Sequence, residues 1–141
     1  MGGLKSTSCC IVLLLAPLIL VIPSLIMAAD DHYTCTIVTA SRLTDQGTLA
    51  QDEVVKHFLG KEFTVDRVTG RIIGGPLDNR EMTIQLIARG THDMSSEVFA
   101  VSKQTSQTTH IRIDLFLPTE HKPFMGTTTL YYPGVYSGLC K

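Results

Sequence analysis

Cys35 and Cys140 stand near the two ends of the polar part of this chain, and no other cysteine lies between them. A disulfide joining them would hold the beginning and end of the domain with Cα atoms roughly 5–6 Å apart. That one bond discards every fold whose ends lie on opposite sides. First and last strands then have to be neighbours, as in a small barrel or a sandwich. The loop it closes holds about a hundred residues, for which lost chain entropy in the unfolded state contributes about 4–5 kcal/mol, less any strain.

Whether the bond forms depends on the compartment, and the first 29 residues speak to that. Met1 to Ser8 carries Lys5 and no acid, Cys9 to Met27 is almost wholly apolar, and Ala28-Ala29 gives way to Asp30-Asp31. A basic start, an apolar centre and small residues before a change of polarity make a secretory signal. Residues 1–29 are therefore expected to be a signal peptide and 30–141 a single domain with one core. The competing reading is an uncleaved membrane anchor, because the apolar run approaches bilayer-spanning length. Pro17 and Pro23 interrupt such a helix. Export implies a periplasmic or secreted protein and an oxidising environment in which Cys35 and Cys140 pair. Neither has a second cysteine at ligand spacing, which disfavours zinc. The formal charge of −1 is spread along the chain, without the basic block or stripe that marks a nucleic-acid binder.

Hydrophobic period then decides the fold class. Tyr33 to Thr39 is β-branched and aromatic, and reads as the first strand. Leu49 to Leu59 is the one helical pattern, with Asp52 and Glu53 at its start, Lys56 and His57 at its end, and Gly60 as a stop. From Glu62 onward the period is two. Phe63 and Val65, then Met82, Ile84 and Leu86, then Ile111, Ile113, Leu115 and Leu117 alternate with polar residues, as in an antiparallel sheet with one solvated face. Val98 to Val101 is a shorter apolar run, and Thr127 to Tyr132 with Val135 to Cys140 makes a closing pair around Pro133-Gly134. Loops are expected at Gly90 to Ser96, Gln104 to Thr108 and Pro118 to Gly126. The expectation is a mostly β fold: a small antiparallel barrel or sandwich of seven or eight strands with one short helix, its ends joined by the disulfide.

The stretch Glu62 to Asn79, EFTVDRVTGRIIGGPLDN, has the form of a hairpin. Gly70 supplies a positive φ at its turn, Asp66 can accept bonds from turn amides, and Gly74-Gly75-Pro76 stops the second strand. No helix follows the glycines, and no Lys-Ser/Thr completes a phosphate loop. Asp66, Arg67 and Arg71 remain as a possible surface site. This stretch, read as F-x-V-D-R-x-T-G-R, together with the closing Y-S-G-x-C of Tyr136 to Cys140, resembles a set of small exported proteobacterial proteins of unknown function. The likeness runs from Cys35 to Cys140. It implies an exported domain with paired end cysteines and brings no activity, ligand or catalytic residue.

Other constellations are thinner. Ser95-Ser96 beside His92-Asp93 lacks the nucleophile elbow of a hydrolase. The chain has no Trp and its acids are scattered, which does not suit a glycosidic cleft. His110, Arg112 and Asp114 share the polar face of one strand, where opposite charges interleave as on a solvated surface. Glu120-His121 sits in a Pro-flanked loop. If cleavage follows Ala29, the mature chain begins Asp30-Asp31-His32, and its amine, two amides and the His32 imidazole make a square-planar nitrogen set for Cu(II) or Ni(II). No cofactor is expected. The function these features favour is a non-enzymatic, exported binding or envelope-associated module, its partner an unknown small ligand or an envelope protein. The alternatives are a secreted hydrolase using His92 or His121 with a carboxylate, and an exposed strand edge that pairs with another protein.

Overall fold

In the computed structural model, which describes residues 31–91, 94–115, 117–130 and 133–141, the alternating segments form antiparallel strands. In chain order they are β1 (His32–Leu43), β2 (Leu49–Ala50), the helix α1 (Glu53–Lys56), β3 (Glu62–Asp66), β4 (Ile72–Ile73), β5 (Thr83–Thr91), β6 (Met94–Val101), β7 (Thr108–Ile113), β8 (Lys122–Thr128) and β9 (Gly134–Cys140). Their order across the sheet is β4-β3-β1-β9-β8-β7-β6-β5, with β2 added to β1. The expected signal segment, Asp30, His92, Asp93, Phe116, Tyr131 and Tyr132 lie outside the described residues.

First and last strands are neighbours: β1 and β9 pair directly, and Cys35 faces Cys140 across them. The two are bonded, with Cα atoms 3.9 Å apart. Thr34 and Lys141 exchange both backbone hydrogen bonds on the next rung, so the cysteines occupy a pair without backbone bonds, where strands lie closest. Both are fully buried in the core.

The sheet curls into a half-barrel. Phe63 on β3 meets Phe124 on β8 edge-to-face, ring centroids 5.1 Å apart, although β1 and β9 separate their strands in the sheet. Rings that far apart in strand order touch only if the sheet bends toward its buried face. Ile37, Val65, Val98, Ile111, Ile113 and Tyr136 fill the same concave side. The connection from β4 to β5 crosses this concavity and drives Leu77, fully buried, into it. Opposite Leu77 stands Gly126 of β8; a Cβ there would lie 2.6 Å from Leu77 Cδ1, so glycine makes the hole that leucine occupies. The interior is thus packed by the protein's own side chains.

Several expected boundaries move, each for a local reason. The helix expected over Leu49 to Leu59 shrinks to Glu53–Lys56. A turn closed by Thr44 and Thr48, with Gly47 at φ 76, folds Leu49 and Ala50 back onto Leu43 and Arg42 before a helix can begin. Asp52 then caps α1, accepting from the Val54 and Val55 amides at 3.1 Å each, and is ion-paired to Arg42. Of the expected apolar face only Val55 is buried; Leu49, Val54 and Leu59 are exposed. The loop expected over Gly90 to Ser96 is replaced by strand on both sides, β5 running to Thr91 and β6 starting at Met94. Gly126, expected in a loop, lies inside β8, and β7 ends at Ile113 instead of continuing to Leu117.

Candidate functional site

The hairpin turn explains itself residue by residue. Asp66 accepts from the Val68 amide at 2.9 Å and the Thr69 amide at 2.7 Å, while its own N–H donates to the Arg71 carbonyl at 2.8 Å. The Thr69 amide, more than the charge of Arg71, holds the Asp66 carboxyl below its ordinary value. Arg67 lies 5.0 Å over the Tyr33 ring, a cation–π contact across to β1. Arg71 is exposed where the chain enters β4. Gly70, at φ 72, presses against Val98 and Ile84, and a Cβ there would come within 3.0 Å of Val98. The backbone of the turn therefore takes up the carboxylate, and the glycine docks the turn on the far end of the sheet. Stability from a depressed carboxyl is present above the unfolded value, near pH 4, and is lost as pH falls through the folded value. Asp66→Asn keeps an acceptor without the charge and is expected to flatten the acid limb of stability. Urea unfolding at pH 7 and pH 3 checks this; an unchanged acid loss in the variant contradicts it.

His110, Arg112 and Asp114 do come together, on the convex face. His110 Nε2 lies 2.8 Å from Glu97 Oε1 on the neighbouring strand. Arg112 Nε and Ser95 Oγ both donate to Asp114 Oδ1 at 2.9 Å. The Arg112 hydrogen bond keeps the Asp114 carboxyl low. Donors and acceptors here satisfy one another on an open sheet surface. His121, exposed, borders a shallow groove of about 250 Å³ with Thr34, Thr36, Val38, Leu139 and Lys141, a lining that holds hydroxyls but no acidic side chain. His32, exposed, opens β1 opposite Asp66, and the Asp31 carbonyl accepts from the Arg67 amide at 2.7 Å. Asp30 lies outside the described residues, so the Asp30-Asp31-His32 set is placed only in part. Among the described residues no three His, Cys, Asp or Glu side chains gather as a metal site.

A broad concavity lies elsewhere, at one mouth of the half-barrel, with a volume of about 770 Å³. Four stretches of chain build it. The β4–β5 connection contributes Pro76, Asp78, Arg80, Glu81 and Met82; the β6–β7 turn contributes Ser102, Lys103, Gln104, Thr105 and Gln107; Phe58 and Leu130 complete it. Each segment is held in shape. Asp78 accepts from the Gly74 amide at 3.0 Å and the Arg80 amide at 3.1 Å, and Arg80 Nε binds both its oxygens. Burial opposes ionisation of Asp78, and these bonds outweigh it, keeping the carboxyl low. The Ser102 amide donates to the Gln107 carbonyl at 2.8 Å, and Thr105 Oγ1 lies 3.0 Å from both Ser102 Oγ and Gln107 Oε1. Phe58 leans edge-on against Tyr136, centroids 5.9 Å apart.

Electrically the mouth is balanced: Asp78 and Glu81 face Arg80 and Lys103, and Arg80 is already bonded to Asp78. Side-chain amides and hydroxyls alternate with the Phe58 ring, Pro76, Met82 and Leu130. Sequence reading did not single out any of these residues as a site. Their one shared signal, Gly and Pro in the β4–β5 connection and polar residues in the β6–β7 turn, is also what any loop contains. Comparison with protein-family models, curated proteins and solved structures finds no match to this chain.

Proposed function

We propose that this protein is an exported, non-enzymatic binding module of the cell envelope, periplasmic or secreted, whose ligand occupies the mouth of the half-barrel. The observation that carries this reading is the roughly 770 Å³ concavity, within the usual size range of small-molecule sites. Its balanced charge and mixture of amides, hydroxyls and one aromatic ring suit a neutral, hydroxyl-bearing molecule with an apolar face. An interior filled by Leu77 and its neighbours supports a ligand at this surface rather than inside the sheet. The hydrolase alternative finds less support at His121, whose groove is lined by no acidic side chain, and its other histidine, His92, lies outside the described residues.

Native mass spectrometry of protein isolated from its own host's envelope is expected to show a bound neutral species. Gln104→Ala combined with Gln107→Ala is expected to remove that species while the protein stays folded. Protein isolated without any adduct, or an adduct the double variant retains, sinks the assignment.

A further inference from the structure

Where the chain enters β1, two backbone amides are left without partners. The Asp31 carbonyl faces β3 and accepts from the Arg67 amide at 2.7 Å. Across a trans peptide the next N–H points the opposite way, so the His32 amide turns from β3 toward the side of β9. The outermost rung there is the pair of bonds exchanged by Thr34 and Lys141, two residues further along β1. Among the described residues the amides of Asp31 and His32 and the His32 imidazole have no hydrogen-bond partner, and both residues are exposed.

The backbone also turns at this point. β1 begins at His32, and Asp31 stands in a bend rather than in the extended line of the strand. Consecutive backbone nitrogens chelate a metal through five-membered rings, which close only where each nitrogen and the next lie on the same side of the Cα–C bond between them. A bend suits that and an extended strand does not. In such a ring the carbonyl oxygen points away from the metal, so Asp31 can keep its bond to the Arg67 amide. His32 Nδ1, reached from its own amide through Cα, Cβ and Cγ, closes a six-membered ring.

We propose that the mature chain, beginning at Asp30, binds one Cu(II) at the start of β1 through four nitrogens: the Asp30 amine, the amides of Asp31 and His32, and His32 Nδ1. Ni(II) suits the same square-planar set with lower affinity. As the metal–nitrogen bonds form, the two amides give their protons to solvent, and the metal keeps its oxidation state. Three of the four donors are backbone or terminal nitrogens, so the site requires no cluster of metal-binding side chains. Nearby charge favours a dication: Asp66 stands opposite His32 with its carboxyl held ionised by turn amides, while Arg67 lies over the Tyr33 ring.

The site rests on the export reading proposed above and is independent of the mouth. Protein recovered from the envelope or medium of its host is expected to begin at Asp30 and to take up one Cu(II), with the visible d–d band of a square-planar nitrogen set and release of at least two protons per metal. Asp31→Pro removes an amide that has no partner in the fold and leaves the carbonyl for Arg67, so a folded protein without the band is expected. His32→Ala should lose the band as well, and so should a chain carrying one extra alanine before Asp30, which keeps every side chain. The first residue of each protein is read before titration. Exported protein with a different first residue overturns the site and leaves the export reading standing, whereas protein retained with residues 1–29 overturns both. An Asp31→Pro protein beginning at Asp30 that keeps the band also overturns the site, since its copper would then sit on side chains elsewhere.

Discussion

Replacing Cys35 and Cys140 together with alanine is expected to lower the free energy of unfolding by about 4–5 kcal/mol, the value that chain entropy assigns to a loop of about a hundred residues. For a domain of this size that is a large share of the total, roughly 5–15 kcal/mol. The fold itself should survive in cold buffer. The β1–β9 ladder continues through Thr36↔Leu139 to Ser41↔Val135, and Thr34 with Lys141 closes its end, so the strands still recognise each other without the bond. The bond acts mainly on the unfolded chain, which without it must find the pairing of its two ends against the entropy of the whole loop. Urea unfolding of the double variant beside the unaltered protein measures the difference. A loss under about 1 kcal/mol would mean that the ladder, rather than the bond, brings the ends together.

Asn79→Ala is expected to cost about 2–5 kcal/mol, because two buried backbone groups lose their partners at once. The Ile72 amide and the Gly70 carbonyl each bond the Asn79 side chain in a fully buried setting, and an unsatisfied buried group costs about 1–3 kcal/mol. Asn79→Asp should not recover the loss: it keeps an acceptor for Ile72 but sets an anion against the Gly70 carbonyl. The variant also bares the edge of β4, and unprotected edges associate, so faster aggregation should accompany the loss. Hydrogen exchange at the Ile72 amide reports the same event locally. If Asn79→Ala unfolds within about 0.5 kcal/mol of the unaltered protein, with Ile72 still protected, then Asn79 does not cap the sheet.

These two sites differ in how visible they are in the amino-acid sequence. A pair of cysteines near the two ends of a domain is legible because the chemistry of the pair is local and its consequence is topological. Asn79 looks like any loop asparagine. Its role depends on β4 being an edge, and that depends on the order of strands, which pairing far along the chain decides. Leu77 and Gly126 show the same limit: a leucine in a Pro-flanked loop and a glycine read as a loop residue turn out to be a knob and its hole, 49 positions apart in number. The helix is shorter than its period suggests for a related reason, since the hairpin of β1 and β2 competes for Leu49 and Ala50 and the periodicity of the segment does not register that competition.

Within the motifs the balance runs the other way. Phe63, Val65 and Tyr136 are core, Asp66 closes its turn, Gly70 and Gly138 stand where a Cβ would meet neighbouring atoms, and Cys140 carries the disulfide. Of the candidate residues named from the sequence, the His110–Arg112–Asp114 face was the nearest to an assembled cluster, and its members bond each other and their neighbours. The mouth formed by the β4–β5 connection and the β6–β7 turn has no sequence signature because its walls come from segments that share no pattern.

The sequence by itself determined the strand class, the hairpin with its Asp66 and Gly70, and the meeting of the two ends at Cys35 and Cys140. All three follow from short-range rules: a period of two, the backbone freedom of glycine, and the reach of a disulfide. Tertiary structure alone decided that the sheet stops at β4 and β5, that Leu77 fills its hollow, and where a concavity is left. Those outcomes depend on which distant strands lie side by side, and burial is shared among side chains whose partners no local pattern specifies.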